Sequence, residues 1–435
     1  MSRTIAIRRE DKSIWEKRVP ISPEGIRKLR HSDVHILVQP SKTRIYKDEE
    51  YAHFGAKLTE DINHSDLVIG VKEMPIQSFR EGGAYMFFSH TIKGQPHNMP
   101  MLKKLVELKS TLIDFECITD NNNKRLVFFG KYAGLAGMID TFHTLGIKYQ
   151  DEGLKTIFAS VKMAYQYGTL HKAKEALKVL ADHVEKHGIR PEIQPAVFAF
   201  TGYGNVSEGA QEIFDIFPYI EITPAQLLQL DKMEIPANVL VKVVFKENDT
   251  VELIQPTGEK FDKQHYFANP TLYKSKFFPY LQHLTCLVNC IFWANGFPKL
   301  LTSDECDTLY RNPANRLKVI GDITCDLNGS IECTKKATQP DNPFYVYDID
   351  KKDIVTDLKG KGPLVMAVDN LPCEVPKSAS DAFSKALMPF MPELAMLDTT
   401  LPFADAKLPE PIKRAVILWN GEFTPAFAYM KNFIK

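Results

Sequence analysis

Two groups of residues in this 435-residue chain could do chemistry. One is the turn Gly202-Tyr203-Gly204-Asn205-Val206-Ser207-Glu208-Gly209. The other is a polar set spread over the segment before it: Arg18, Lys72, Glu73, His90, Lys93 and Glu116. A run without charges, Ala196 to Thr201, leads into the turn, and a helix is predicted from Ser207 to Phe214. A strand that leaves into Gly-x-Gly at a helix N-terminus aims backbone N–H groups and the positive end of the helix dipole at a pyrophosphate. Gly202 permits the tight turn and Gly204 the close approach. With Asn205, Val206 and Ser207 they are the residues expected to cradle a dinucleotide. Ser207 takes the usual third glycine position and Gly209 follows it, so the match is to a variant of the fingerprint, with a plain turn as the alternative. Glu221, about 20 residues past the first glycine, stands where an acid would grip the adenosine ribose. Otherwise it ends an edge strand in solvent. No arginine follows it closely to receive a 2′-phosphate, so the residues alone favour NAD.

Lys72 follows the apolar run Val68-Ile69-Gly70-Val71, and His90 follows Met86-Phe87-Phe88-Ser89 in the same way, with Lys93 three residues on. Strand ends of open α/β sheets face the ligand crevice, so both basic groups are expected there. Histidine titrates near neutrality, and a desolvated or cation-crowded lysine can be drawn down toward it, which suits a proton-transfer pair. The bland alternative is two ordinary residues at strand exits. Arg18, just before the Ser22-Pro23 start of a predicted helix, could clamp a carboxylate with its fork or serve as a surface cation. Glu116 could hold an ammonium or tune the lysine. Asp322 and Asp326 follow another strand and could reach the nicotinamide end, although such acids are often only turn formers.

These groups need elements to position them. Strands are predicted at 3–8, 34–38, 67–71, 86–90 and 111–117, with helices at 46–54 and 100–109 between them. That alternation is the signature of a doubly wound parallel sheet. A long helix opens at Tyr132, and helical composition continues over 160–187. Further strands are predicted at 219–222, 284–292 and 318–323, and the 60 residues between the first two of these read as an insertion rich in Lys and aromatics. Two domains follow: a substrate domain of 1–131 plus 371–435, and a dinucleotide-binding domain of 132–370 with an insertion around 225–280.

Lys plus Arg and Asp plus Glu both number 54, a balance that argues against nucleic-acid and anionic-membrane partners. Seven cysteines without regular spacing do not form a disulfide framework, and Cys286 and Cys290 read as buried small hydrophobes, so no metal site is expected. No apolar run approaches the roughly 20 residues of a membrane-spanning helix.

Taken together, these segments resemble the lysine–ketoglutarate reductase half of the α-aminoadipic semialdehyde synthase family, and more distantly the fungal lysine-forming saccharopine dehydrogenases. The likeness runs through Arg8-Arg9-Glu10-Asp11, Trp15-Glu16-Lys17-Arg18, Val71 to Pro75, Phe88 to Gln95, Tyr132 to Gly137, Gly202 to Gly209, Asp322 to Ser330 and Val368 to Pro372. It implies an α/β fold of two doubly wound Rossmann-like domains, like that of alanine dehydrogenase and transhydrogenase. It also implies that L-lysine and 2-oxoglutarate condense and the imine is reduced to saccharopine, the first step of lysine degradation. The family's acid–base lysine and histidine fall on Lys72 and His90 and its substrate-binding arginine on Arg18. Glu73, Lys93 and Glu116 fall where they would tune that pair or contact substrate, and Asp326 is similar in place to an aspartate near the nicotinamide.

The resemblance implies NADP(H), against the NAD(H) that the residues around Glu221 favour. It further implies either a monofunctional enzyme or a piece of a longer chain fused to or partnered with a saccharopine-oxidising domain. The mitochondrial matrix is the expected compartment if a presequence has been removed, and the cytoplasm otherwise. An alanine-dehydrogenase-like enzyme and a non-catalytic dinucleotide sensor are the competing readings.

Overall fold

A computed structural model describes residues 3–29, 34–256 and 258–434 of the chain. It divides into two compact units, one of Met1–Phe129 with Pro376–Lys435 and one of Gly130–Val375.

The first unit is built on an eight-stranded sheet. Its order is Glu422–Phe423, Val416–Trp419, Thr111–Asp114, Ala84–Phe87, Leu67–Ile69, Arg3–Ile7, Val34–Val38 and Lys57–Leu58. The six strands from the N-terminal segment run parallel, and the two C-terminal strands add antiparallel at the Thr111–Asp114 edge. Leu67–Ile69 and Ala84–Phe87 are buried at every position, as parallel strands covered on both faces must be. Three strands end earlier than their apolar runs suggest. Beyond Asp114 the chain coils into a 3₁₀ turn, because the Asp114 carboxylate accepts the Glu116 N–H at 2.7 Å. Ser22 starts the helix Pro23–Leu29, its hydroxyl accepting the Gly25 N–H at 3.3 Å. The C-terminal helix Pro376–Leu387 fixes this loop: the Ser380 and Ser384 hydroxyls accept the Val19 and Ser22 N–H groups at 3.0 and 3.1 Å.

The second unit has a sheet ordered Asp353–Val355, Phe344–Asp348, Leu364–Met366, Val319–Asp322, Cys286–Asn289, Val197–Thr201, Leu240–Phe245 and Tyr219–Ile222. Phe142, Phe158, Phe198, Phe214 and Phe217 fill one face of it. The long helix Gly130–Asp151 lies against the helix Asn205–Phe214 so closely that side chains are excluded at the crossing. A Cβ on Gly134 would stand 1.9 Å from the Val206 carbonyl oxygen, and one on Gly209 2.0 Å from that of Lys131. Gly209, rather than the residue at the fingerprint's third glycine position, does the close packing.

The stretch read as an insertion is more than that. It supplies Leu240–Phe245, a strand of the main sheet inserted between Val197–Thr201 and Tyr219–Ile222. Lys242 interrupts its apolar run, which disguised it. That lysine is buried, paired with Asp215 at 2.8 Å and set 4.8 Å over the Tyr219 ring. The remainder of the stretch forms the two-stranded ribbon Val251–Leu253 with Tyr273–Ser275 and short helices.

Two carboxyl groups meet in the core of this unit. Asp140 accepts the Ala164 N–H at 2.8 Å and Glu374 accepts the Tyr165 N–H at 3.3 Å. Burial raises both, Asp140 to about 6 and Glu374 well above the usual carboxylate range, so the pair holds a proton between them. Groups whose folded values are raised stabilise the fold below their unfolded values and lose that contribution as pH climbs through the folded ones. Thermal unfolding is therefore expected to move to lower temperature as pH rises from the ordinary carboxylate range, about 4, through about 6, with Glu374 carrying the fall further. Asp140→Asn, whose amide can donate to Glu374, should flatten that dependence; identical slopes in the two proteins would refute the shared proton.

Candidate functional site

Lys72 lies just past the strand Leu67–Ile69, half-buried. The Glu10 carboxylate accepts the Val71 and Lys72 N–H groups at 2.6 and 3.0 Å and so fixes the turn that presents it. Burial and the nearby Glu16 push Glu10 up to about 7. The Lys72 ammonium is lowered from its ordinary value, first by burial and then by the Arg18 cation. It is a lysine drawn toward proton transfer at milder pH.

His90 follows the strand Ala84–Phe87 with φ at +47°, and Asn98 donates to its carbonyl at 3.1 Å. Its Nδ1 is 2.6 Å from Glu73 Oε1, which directs Nδ1–H to the carboxylate and leaves Nε2 as the nitrogen that Glu73 does not engage. Burial would raise Glu73, but hydrogen bonds from His90 and from Lys12 Nζ, the latter at 2.6 Å, outweigh it and hold the carboxyl well below its usual range. Lys72, Glu73 and His90 thus form one connected polar group with Glu10, Lys12, Glu16 and Arg18.

Two members of the expected set stand differently. Arg18 is 3% exposed, and its fork is taken by Glu16, with Nε–Oε1 at 2.8 Å and Nη2–Oε2 at 2.6 Å, while Phe129 packs 4.2 Å beneath it. Glu16, two residues away, fills the seat expected for a substrate carboxylate, so Arg18 acts on Lys72 as a buried cation. Glu116 sits on the 3₁₀ turn after Thr111–Asp114 and pairs with Arg125 rather than with an ammonium of the group. Lys93 is exposed, its N–H donating to Gln95 at 3.2 Å. The sequence reading assigned no part to Glu10, Glu16, Lys12 and Asn98. Glu10 carried a usable signal, an acid shortly after the first strand, Arg3–Ile7.

In the second unit Gly202 has φ at +83° and donates its N–H to the Phe245 carbonyl at 3.0 Å. Gly204 is the N-cap of the ten-residue helix Asn205–Phe214, and no side chain caps that end. A Cβ on Gly204 would meet nothing within 4 Å, so the turn opens onto space that a pyrophosphate can fill. Asn205 is exposed and Val206 half-buried at the first helical positions, while Ser207 is buried and accepts from Gln211 Nε2 at 2.9 Å. These residues fit a dinucleotide.

Asp322 does not line that space. It is 1% exposed, and its oxygens accept from Thr334 at 2.5 Å, Thr324 at 2.8 Å and Asn289 at 2.9 Å. Asn289 also accepts from Thr201 at 2.8 Å, so the network ties the C-terminal ends of three adjacent strands together beneath the turn. Asp326 is half-buried in the turn beyond, its carbonyl accepting the Gly329 N–H at 2.9 Å. Glu221 lies on the edge strand. Its register partner is Lys242, itself opposite Phe198 near the start of the glycine-turn strand, so it stands away from the end where the turn lies. The inserted Leu240–Phe245 separates the two, and Glu221 is 3.9 Å from Lys242 Nζ with a solvent-exposed side chain. No cluster of His, Cys, Asp or Glu suited to a metal is found among the described residues. None of their helices is long and apolar enough to cross a membrane.

Known proteins share this architecture. The model of the alanine dehydrogenase/PNT N-terminal domain matches residues 6–136, and that of the corresponding C-terminal domain matches 295–426. An L-alanine dehydrogenase structure superposes with a TM-score of 0.64 at 14% identity, covering 99% of this chain and all of that one. The Sinorhizobium meliloti transhydrogenase gives 0.56 at 15% identity. Alpha-aminoadipic semialdehyde synthase of Arabidopsis thaliana is 36% identical over 99% of this chain, and the mitochondrial enzyme of that name from Mus musculus 32% over 98%. The chain spans 41% and 47% of the length of these two relatives. A saccharopine dehydrogenase [NAD(+), L-lysine-forming] of Yarrowia lipolytica is 26% identical over 92% of this chain and 95% of its own length. The chain belongs to the alanine dehydrogenase/PNT family of pyridine-nucleotide oxidoreductases, and within it is a relative of the alpha-aminoadipic semialdehyde synthases.

Proposed function

We propose that this chain is a lysine–2-oxoglutarate reductase: it joins the ε-amine of L-lysine to the keto carbon of 2-oxoglutarate, eliminates water, and reduces the imine to saccharopine with NADPH. The observation that carries the reading is the half-buried Lys72, its ammonium lowered by burial, next in the chain to Glu73, which anchors the His90 imidazole at 2.6 Å; the likeness to the semialdehyde synthases and to a lysine-forming dehydrogenase supports it. Lys72 takes the proton that frees the substrate amine for attack. His90, through Nε2, gives a proton to the carbinolamine hydroxyl, which leaves as water. Arg18 keeps Lys72 able to lose its own proton, and Lys93, exposed beside His90, offers a cation to a substrate carboxylate. When bound at the glycine turn, the nicotinamide would supply two electrons as hydride; departure of water leaves the imine protonated, so the addition would give the neutral secondary amine of saccharopine.

The mitochondrial name of the mouse relative supports the mitochondrial matrix as the compartment, and the length of the synthases supports a saccharopine-oxidising domain as fused or separate partner. The test is direct. NADPH is mixed with the protein, L-lysine and 2-oxoglutarate, the absorbance of reduced nicotinamide is followed, and saccharopine is sought by mass. Consumption with both substrates and not with either alone is expected. Consumption only with ammonia and pyruvate, or none while NADPH binds, would overturn the reading.

A further inference from the structure

A chain that uses NADPH must meet the 2′-phosphate with cations, and the cation beside Glu221, Lys242, is buried and paired with Asp215. The sheet order moves the place to look. The strand beside the glycine turn is Leu240–Phe245, Phe245 lying opposite Thr201. In doubly wound nucleotide folds, residues just beyond that neighbouring strand reach the adenosine ribose. Here they are Lys246 and Glu247. Tyr203, within the turn and 40% exposed, donates its hydroxyl to Glu247 at 2.9 Å. Lys263, at the start of the helix Lys263–Ala268, donates to the Tyr203 hydroxyl and stands 3.0 Å from Glu247 Oε1. The Lys246 and Lys263 ammonium groups lie 5.9 and 4.7 Å from the centre of the Tyr203 ring. Two exposed cations thus converge on one residue of the phosphate-binding turn, with the Glu247 carboxylate between them, while Asp249 accepts the Lys246 backbone N–H at 2.9 Å and Asp262 accepts the Gln264 N–H at 2.8 Å.

Resting on the NADPH reading above, we propose that Tyr203, Lys246, Glu247 and Lys263 form the subsite for the phosphorylated adenosine ribose. Lys246 and Lys263 are the contacts to the 2′-phosphate. Glu247 positions Lys263, and the ribbon that follows Leu240–Phe245 brings that lysine back to the turn. Lysine acts on phosphate as a point charge and needs no planar fork, which is why a search for arginine misses such a site.

The full chain is titrated with NADPH and with NADH by fluorescence of the reduced nicotinamide, and the titrations are repeated for Lys246→Met and Lys263→Met. Both side chains are exposed, so folding is unaffected. Each substitution is expected to weaken NADPH about tenfold or more and NADH less than about twofold, since only the former has the extra charge to lose. Equal losses for the two dinucleotides, or none for either, would overturn the subsite. If the unsubstituted chain binds NADH as tightly as NADPH, the cofactor reading itself fails. If it prefers NADPH and both variants keep that preference, only the subsite fails.

Discussion

Lys72→Met and His90→Gln are each expected to lower kcat with lysine and 2-oxoglutarate by roughly 10²-fold or more, while dissociation constants for NADPH stay within about twofold. The separation follows from where the groups are. Both belong to the first unit, and the glycine turn proposed to hold the dinucleotide belongs to the second. Methionine keeps the length and burial of the lysine stem and removes its charge, leaving the Glu10 contacts to the backbone in place. Glutamine preserves a donor to Glu73 and removes the titrating ring. Turnover within about threefold of the parent in either variant would remove that residue from the proton transfers. Loss of NADPH binding along with turnover would show that damage to the fold, not missing chemistry, had been measured.

The Lys72 group also shows why the placement of polar side chains was readable at some positions and not at others. Lys72 and His90 are recognisable because each follows an apolar run that can only be a covered parallel strand, and strand ends set where side chains point. Arg18 had the right type at a plausible place, yet a linear sequence does not reveal that Glu16 would fold back in bidentate register and close its fork. Asp322 misled in the same manner: an acid after a strand can face a ligand or order its neighbours, and here Thr334, Thr324 and Asn289 take its oxygens.

Glu221 lies away from the turn for a topological reason. Counting residues from the glycines assumes that the next strand in sequence is the next in space. The inserted Leu240–Phe245 breaks that assumption, and Lys242, buried against Asp215, hides the strand by placing a charge in its middle. The alternation of strands and helices that implied two doubly wound sheets was legible because it depends on covered apolar runs. The order of strands within a sheet depends on long-range pairing that no local pattern carries.

The glycine turn allows the last expectation to be split between two residues five positions apart in the same loop and helix. Gly204→Ala should leave stability nearly unchanged, within about 1 kcal/mol, because its backbone conformation is ordinary, its Cβ meets nothing within 4 Å, and alanine is only a somewhat poorer N-cap. The new methyl occupies the space that the pyrophosphate needs, so affinity for NADPH and NADH alike should fall at least tenfold, about 1.4 kcal/mol. Gly209→Ala should do the reverse. A helix-interior alanine gains about 1 kcal/mol over glycine, but here its methyl would stand 2.0 Å from the Lys131 carbonyl oxygen. Backbone cannot yield as a side-chain tip does, so the two helices must separate, at a cost of roughly 3 kcal/mol or more. Thermal unfolding and dinucleotide titration of both variants check this. A Gly209→Ala protein as stable as the parent would mean that the helices Gly130–Asp151 and Asn205–Phe214 are not held at this distance. A Gly204→Ala protein with parental affinity would place the pyrophosphate somewhere other than the turn.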